Sequence, residues 1–135
     1  MSVEQVIEQL KADYERFPKN QTYGLYADNV TFKDPLNSFS GVKKYREMIG
    51  FLSRFFRDIE MELHSIEKAQ PDLVATEWTL NMTPPVPWAS QLSIPGRSEL
   101  KLNAQQLIES HVDYWHCSRL AVLKQVFSNK SRGKS

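Results

Sequence analysis

Residues 107–117, LIESHVDYWHC, set Glu109, His111 and Asp113 at intervals of two. Successive side chains of an extended strand point to opposite faces. Leu107, Glu109, His111, Asp113, Trp115 and Cys117 therefore share one side, and Ile108, Ser110, Val112, Tyr114 and His116 the other. If the first side faces a core, an imidazole and a carboxylate stand where water is scarce. Such groups are costly there unless paired, hydrated or used to move a proton. If the second side faces the core, Ile108, Val112 and Tyr114 are ordinary packing and His111 with Asp113 is solvated. The alternation alone leaves both arrangements open.

Asp34 is the other carboxylate in a suggestive place, at the end of a short apolar-polar alternation and directly before Pro35. It can act as a general base at a cavity mouth. An Asp before Pro also commonly bonds its own backbone to form a turn. Tyr14, Tyr26, Tyr45, Trp78 and Trp115 can supply pocket walls, with the tyrosine hydroxyls as donors to a developing oxyanion, or serve simply as core. His64, His111 and His116 have no compact metal-ligand spacing, so the expectation is no metal. No Gly-rich phosphate loop or nucleophile elbow points to a cofactor or a serine hydrolase. Cys117 has no evident base partner for a catalytic thiol.

The chain has 135 residues, 41% of them hydrophobic and 24% charged, which predicts one globular domain. Its single cysteine excludes an internal disulfide and a cysteine zinc site, and points to a reducing, cytoplasmic setting. Net charge is +1, and three of the 17 basic residues (Lys130, Arg132 and Lys134) lie in the last eight positions. The remaining body is slightly acidic and offers no electrostatic footprint for nucleic acid. No apolar run is long enough to span a membrane. The charged, periodic start MSVEQVIEQL does not read as a signal peptide. The expected division is a domain over 1–127 and a flexible basic tail over 128–135.

Elements that position these residues follow from periodicity. Ser2 and Gln5 have capping-box spacing, and Val3, Val6, Ile7, Leu10, Tyr14 and Phe17 form a helical stripe that Pro18 ends. A short helical turn through Tyr23, Leu25 and Tyr26 precedes a strand over 29–34. A turn over 37–41 leads into a second helix capped by Ser40, with Tyr45, Met48, Ile49, Leu52, Phe55 and Phe56 on its apolar side. From Asp58 the period drops to 2. Residues 59–64 and 73–82 read as strands, the second with Val74, Thr76, Trp78, Leu80 and Met82 on one face. Residues 83–96 hold Pro84, Pro85, Pro87 and Pro95, together with Trp88, Leu92 and Ile94, and read as a lid or a subunit contact. A hairpin around 103–106 joins strands 98–103 and 107–117, and a helix or strand follows. Helices first and four long antiparallel strands after them make an α+β fold with helices on one face of a curved sheet.

The run YADNVTFKDP at 26–35, the helix over 41–56, and LNAQQLIESHVDYW at 102–115 together resemble the nuclear-transport-factor-2-like superfamily, which includes ketosteroid isomerases and SnoaL-like polyketide cyclases. The likeness covers nearly the whole chain apart from the proline-rich segment and the basic tail. It is nearest to an uncharacterised cyanobacterial and plant branch. The resemblance implies a cone, the cystatin-like fold, in which a curved antiparallel sheet wraps around N-terminal helices and encloses an apolar cavity, commonly as a homodimer. It implies that Asp34 matches the proton-shuttling Asp of the isomerases and that Trp115 lines the cavity, which favours the His111/Asp113 face as the inner one. The isomerases' oxyanion tyrosine matches Tyr14 only if the following connection is about one helical turn shorter. Their oxyanion carboxylic acid falls on Ser98, a weaker donor, which leaves Asp34, His111 and Asp113 as a different acid–base set.

Two expectations of function follow. In one, the cavity binds a small, mostly apolar molecule, with acid–base chemistry of an isomerase, cyclase or hydrolase kind. In the other, the helices fill the cone, and the outer sheet face with Trp88, Leu92 and Ile94 makes a non-catalytic dimer contact.

Overall fold

Ser2 and Gln5 close the capping box that their spacing predicts. The Gln5 backbone N–H donates to Ser2 Oγ at 3.1 Å and the Ser2 N–H to Gln5 Oε1 at 2.8 Å. Helix α1 (Val3–Arg16) grows from that cap and buries Val3, Val6 and Leu10. The computed structural model describes residues 1–89 and 91–132, with side chains through residue 126. After α1 come a 3-10 turn (Tyr23–Leu25), β1 (Tyr26–Lys33), β2 (Ser38–Ser40), α2 (Val42–Phe55), β3 (Arg57–Gln70), β4 (Leu73–Thr83), β5 (Leu92–Leu102), β6 (Ile108–Trp115) and α3 (Arg119–Arg132).

The strands form one curved, unclosed six-stranded sheet in the order β2-β1-β6-β5-β4-β3. The antiparallel run β3 to β6 is the one the alternation predicts. The added feature is β1, which pairs parallel to β6 (Phe32 opposite His111, Lys33 opposite Val112) and carries β2 on its other edge. With helices on the inner side, the fold is α+β and cone-shaped, as expected.

Three apolar clusters line the inside of the cone. Val3, Val6 and Leu10 of α1 meet Val74, Leu100, Leu102 and Ile108 of the sheet. Tyr45 and Ile49 of α2 meet Phe32. Val122 of α3 packs on Met82, Leu92 and Ile94.

Several local expectations are corrected. Ser40 does not cap α2: it is tied into β2 opposite Thr31, and Gly41 takes the cap position at φ 104°, a left-handed conformation suited to glycine. The 83–96 segment divides. Residues 84–91 connect two strands, whereas Leu92 and Ile94 are buried inner residues of β5. They are not available for a dimer contact, and no described residue of 84–91 lines the cavity. Pro95 is tolerated inside the sheet because the ladder between β5 and β6 ends at Gly96 and Trp115, just short of it. There the His116 N–H donates to the Pro95 carbonyl at 2.9 Å and needs nothing from the proline nitrogen. The segment after Cys117 is helical, and α3 runs past the 127/128 boundary to Arg132; residues 133–135 lie outside the described residues.

Candidate active site

The two open readings of β6 are reconciled by a bulge. Leu102 pairs with Ile108 and Lys101 with Ser110, so Glu109 is an extra residue in the strand. Before the bulge Ile108 points into the core, fully buried. After it the phase has shifted, and His111, Asp113 and Trp115 point inward instead. Glu109, expected on the same face as His111, is displaced by the bulge and does not line the interior.

The interior is a cavity of about 370 Å³ between the sheet, α1 and α2, reached also by Val122 of α3. Nine of the residues singled out from the sequence border it: Asp34, His111 and Asp113, the phenols Tyr14, Tyr26 and Tyr45, and Trp78, Trp115 and Ser98. Most of the remaining wall is hydrocarbon and ring, including Phe32, Ile49, Met82 and Ile94.

At the polar end, hydrogen bonds run in sequence from sheet to helix. Trp78 Nε1–H donates to Ser98 Oγ at 2.8 Å, and Ser98 Oγ–H donates to Asp113 Oδ1 at 2.5 Å. The same oxygen lies 2.8 Å from His111 Nε2. A carboxylate only accepts, so Nε2 carries the hydrogen, and in the neutral ring the lone pair is at Nδ1. Nδ1 lies 3.5 Å from the Tyr26 hydroxyl, whose hydrogen is donated to the Tyr45 oxygen at 3.4 Å, so the Nδ1 lone pair is left open. Phe32 and Tyr45 pack their rings against the imidazole at centroid distances of 4.9 and 5.5 Å and fix its plane. Ser98, expected as a donor to a ligand, has its one hydrogen committed to Asp113. It acts as a brace for the carboxylate.

Asp34 is differently engaged. Its Oδ1 accepts from the backbone N–H of Leu36 at 2.8 Å and of Asn37 at 2.6 Å, and the Asn37 amide donates to both carboxylate oxygens at 3.1 Å. This is the turn-forming role of an Asp before Pro, at the cavity mouth. Among the described residues no hydrogen bond joins Asp34 to His111 or Asp113.

Burial raises the phenols. Tyr14, whose hydroxyl shares a 3.0 Å hydrogen bond with Thr76 Oγ1, is pushed up to about 12, chiefly by desolvation. Desolvation lifts Tyr26 and Tyr45 well above the ordinary tyrosine value; their mutual hydrogen bond offsets part of the rise at Tyr26 and adds to it at Tyr45. All three are neutral donors at any physiological pH. In a spectrophotometric alkaline titration we expect these three of the five tyrosines to stay protonated at pH 11. Unfolded phenols ionise near 10 while the folded ones do not. The stability they contribute is therefore intact below that pH and falls from 10 through 12 and beyond. Full ionisation of all five tyrosines near pH 10 in the folded protein would contradict this.

One buried carboxylate escaped sequence reasoning. Asp13, 3% exposed, sits on the α1 stripe between Leu10 and Phe17, where the spacing calls for an apolar side chain. It accepts from the Thr22 N–H and hydroxyl at 2.9 and 2.8 Å and pairs with Arg16 at 2.7 Å. A charge interrupting an apolar stripe was the available signal. Its bonds are internal, so it anchors the turn after α1. No group of three His, Cys, Asp or Glu among the described residues has the geometry of a metal site. No described helix is long and apolar enough to cross a membrane.

Known structures share this architecture. A hypothetical protein from Catenulispora acidiphila DSM 44928 with a ketosteroid isomerase-like fold, solved with trimethylamine, superposes with a TM-score of 0.73 at 17% identity, over 91% of this chain and 92% of that one. An LEH-like epoxide hydrolase of M. tuberculosis gives 0.73 at 11% identity, over 97% and 96%. A putative polyketide cyclase from Pseudomonas putida KT2440 gives 0.71 at 12%, over 93% and 98%. At these identities the likeness is one of fold, and it is the fold of the nuclear-transport-factor-2-like superfamily. No curated protein matches the chain. The model of the uncharacterized conserved proteins DUF2358 matches residues 4–111, from the first turn of α1 to His111, and the chain belongs to that family.

Proposed function

We propose that the cavity binds a small, mostly apolar molecule with one polar oxygen, and that the His111–Asp113 pair moves a proton on it. The observation that carries this reading is the braced imidazole. Asp113, held by Ser98 and Trp78, keeps Nε2 protonated and leaves Nδ1 as the acceptor beside two neutral phenols. A proton taken at Nδ1 creates an imidazolium whose charge Asp113 offsets. The Tyr45 hydroxyl, which accepts from Tyr26, keeps its own hydrogen to donate to an oxygen that gains negative charge. A base and an oxyanion donor side by side suit isomerase-, cyclase- or hydrolase-like chemistry. Asp34 belongs to this reading as a residue of the mouth, because its oxygens are engaged by the turn.

The volume of about 370 Å³ lies near the lower end of the range typical for small-molecule sites, roughly 300–1,000 Å³. A compact probe with an acidic C–H tests the reading without knowledge of the natural ligand. Nitrobenzisoxazole loses its ring C–H proton to a base; that electron pair completes a nitrile as the N–O bond breaks, giving a single cyanophenolate product. The wild-type protein should accelerate this ring opening with saturation. Met48→Trp, which fills the cavity from α2, should abolish saturation while the protein stays folded by circular dichroism. Equal rates in wild type and Met48→Trp would remove the cavity from the chemistry.

A further inference from the structure

The cavity mouth carries a surface that proton transfer does not use. Leu36, on the turn after Asp34, is 64% exposed, and Phe51 of α2 is 55% exposed; both border the opening. Phe55, one turn further along α2 and 44% exposed, packs against Phe51 with ring centroids 4.8 Å apart and the planes tilted by 44°. Large apolar side chains grouped in solvent mark a contact surface. The same helix, VKKYREMIGFLSRF, bears Lys43, Lys44, Arg46 and Arg54 against the single acid Glu47, and Arg57 follows it. Among the described residues no ion pair engages Lys43, Lys44 or Arg54.

We propose that this mouth docks on an anionic lipid bilayer, with Leu36, Phe51 and Phe55 in the headgroup–acyl boundary and the α2 cations on lipid phosphates. Lysines and an arginine on the same helix as exposed phenylalanines fit such a boundary, where the long stems lie along hydrocarbon and the charges reach the headgroups. They fit the core of a protein–protein contact poorly, because lysine is depleted there. Charge complementarity thus selects the occupant, and an apolar ligand could pass from bilayer to cavity without crossing water. That benefit rests on the ligand reading above; the docking does not.

Vesicle flotation of the full chain, with no cavity ligand added, tests it. The protein should float with phosphatidylcholine vesicles containing about 30% phosphatidylserine and stay behind with phosphatidylcholine alone, and binding should fall several-fold as salt rises from about 0.05 to about 0.5 M. Phe55→Ser, away from the cavity lining, should lower the bound fraction about fivefold or more. Lys43→Gln with Lys44→Gln and Arg54→Gln should remove the preference for anionic vesicles. Circular dichroism establishes that each variant is folded. Absence of flotation on anionic vesicles, flotation unchanged by both variants, or a sedimenting dimer that Phe55→Ser splits would each overturn the docking. None of these results bears on ring opening in the cavity.

Discussion

Asp113→Asn is expected to fold normally and to lose about 10²- to 10⁴-fold in ring opening of the cavity probe, the range associated with a positioned acid–base group. The amide keeps the shape of the carboxylate, but Ser98 and His111 both use Oδ1, so an amide nitrogen in that place donates to Ser98 Oγ instead of accepting from it. What it loses is the charge that balances an imidazolium and the acceptor-only character that dictates the His111 tautomer. The amide nitrogen can donate to Nε2, which shifts the ring hydrogen to Nδ1 and occupies the nitrogen that must accept. Imidazole ¹⁵N spectra should show the wild-type neutral ring protonated at Nε2 and the variant ring at least partly protonated at Nδ1. A variant with wild-type rate and tautomer would separate Asp113 from the chemistry and take the proposed mechanism with it.

Gly96→Ala should cause the larger loss of stability. A Cβ built there falls 2.6 Å from Cη2 of Trp78 and 2.7 Å from the Tyr114 carbonyl oxygen, closer than real Cβ atoms come. The Trp78 ring is rigid and 4% exposed, and the carbonyl is held in the sheet, so neither yields cheaply. Overpacking of this kind costs about 1–3 kcal/mol, or roughly 5–10 °C in Tm for a chain this size. Displacement of the indole also breaks its bond to Ser98 and loosens Asp113. The variant should therefore lose ring-opening activity along with stability. Gly50→Ala is the matching control. That glycine is exposed on α2 with nothing within 4 Å of the added methyl, so alanine should stabilise by about 0.5–1 kcal/mol. Equal Tm values for Gly96→Ala and wild type would show that the sheet relaxes around the clash.

Local chemistry made α1, α2 and the inner face of β4 legible in the sequence. A capping box, a proline stop and strict periodicity act within a few residues, and tertiary packing did not override them. The start of β5 was hidden because Pro95 argues against an interior strand unless the position of the ladder's end is known. The parallel pairing of β1 with β6 joins residues about eighty apart, and nothing in either segment alone specifies it. The site shows the same division. Alternation identified His111 and Asp113 as facing together but set Ile108 against them. One inserted residue at Glu109 allows all three inward, and a bulge leaves little trace in composition. Asp34 borders the cavity, but the donors that engage it come from the fold of its own turn, which the sequence does not display.

The pairing of β1 with β6 also bears on how the chain matures at the ribosome. Phe32, Tyr26 and Tyr45 are made early, yet the strand that covers them and delivers His111 emerges only after residue 108. Until then the growing chain carries a greasy, half-built wall with an open hydrogen-bonding edge, the kind of intermediate that chaperones bind. Its chemistry can be assembled only once β6 has been made.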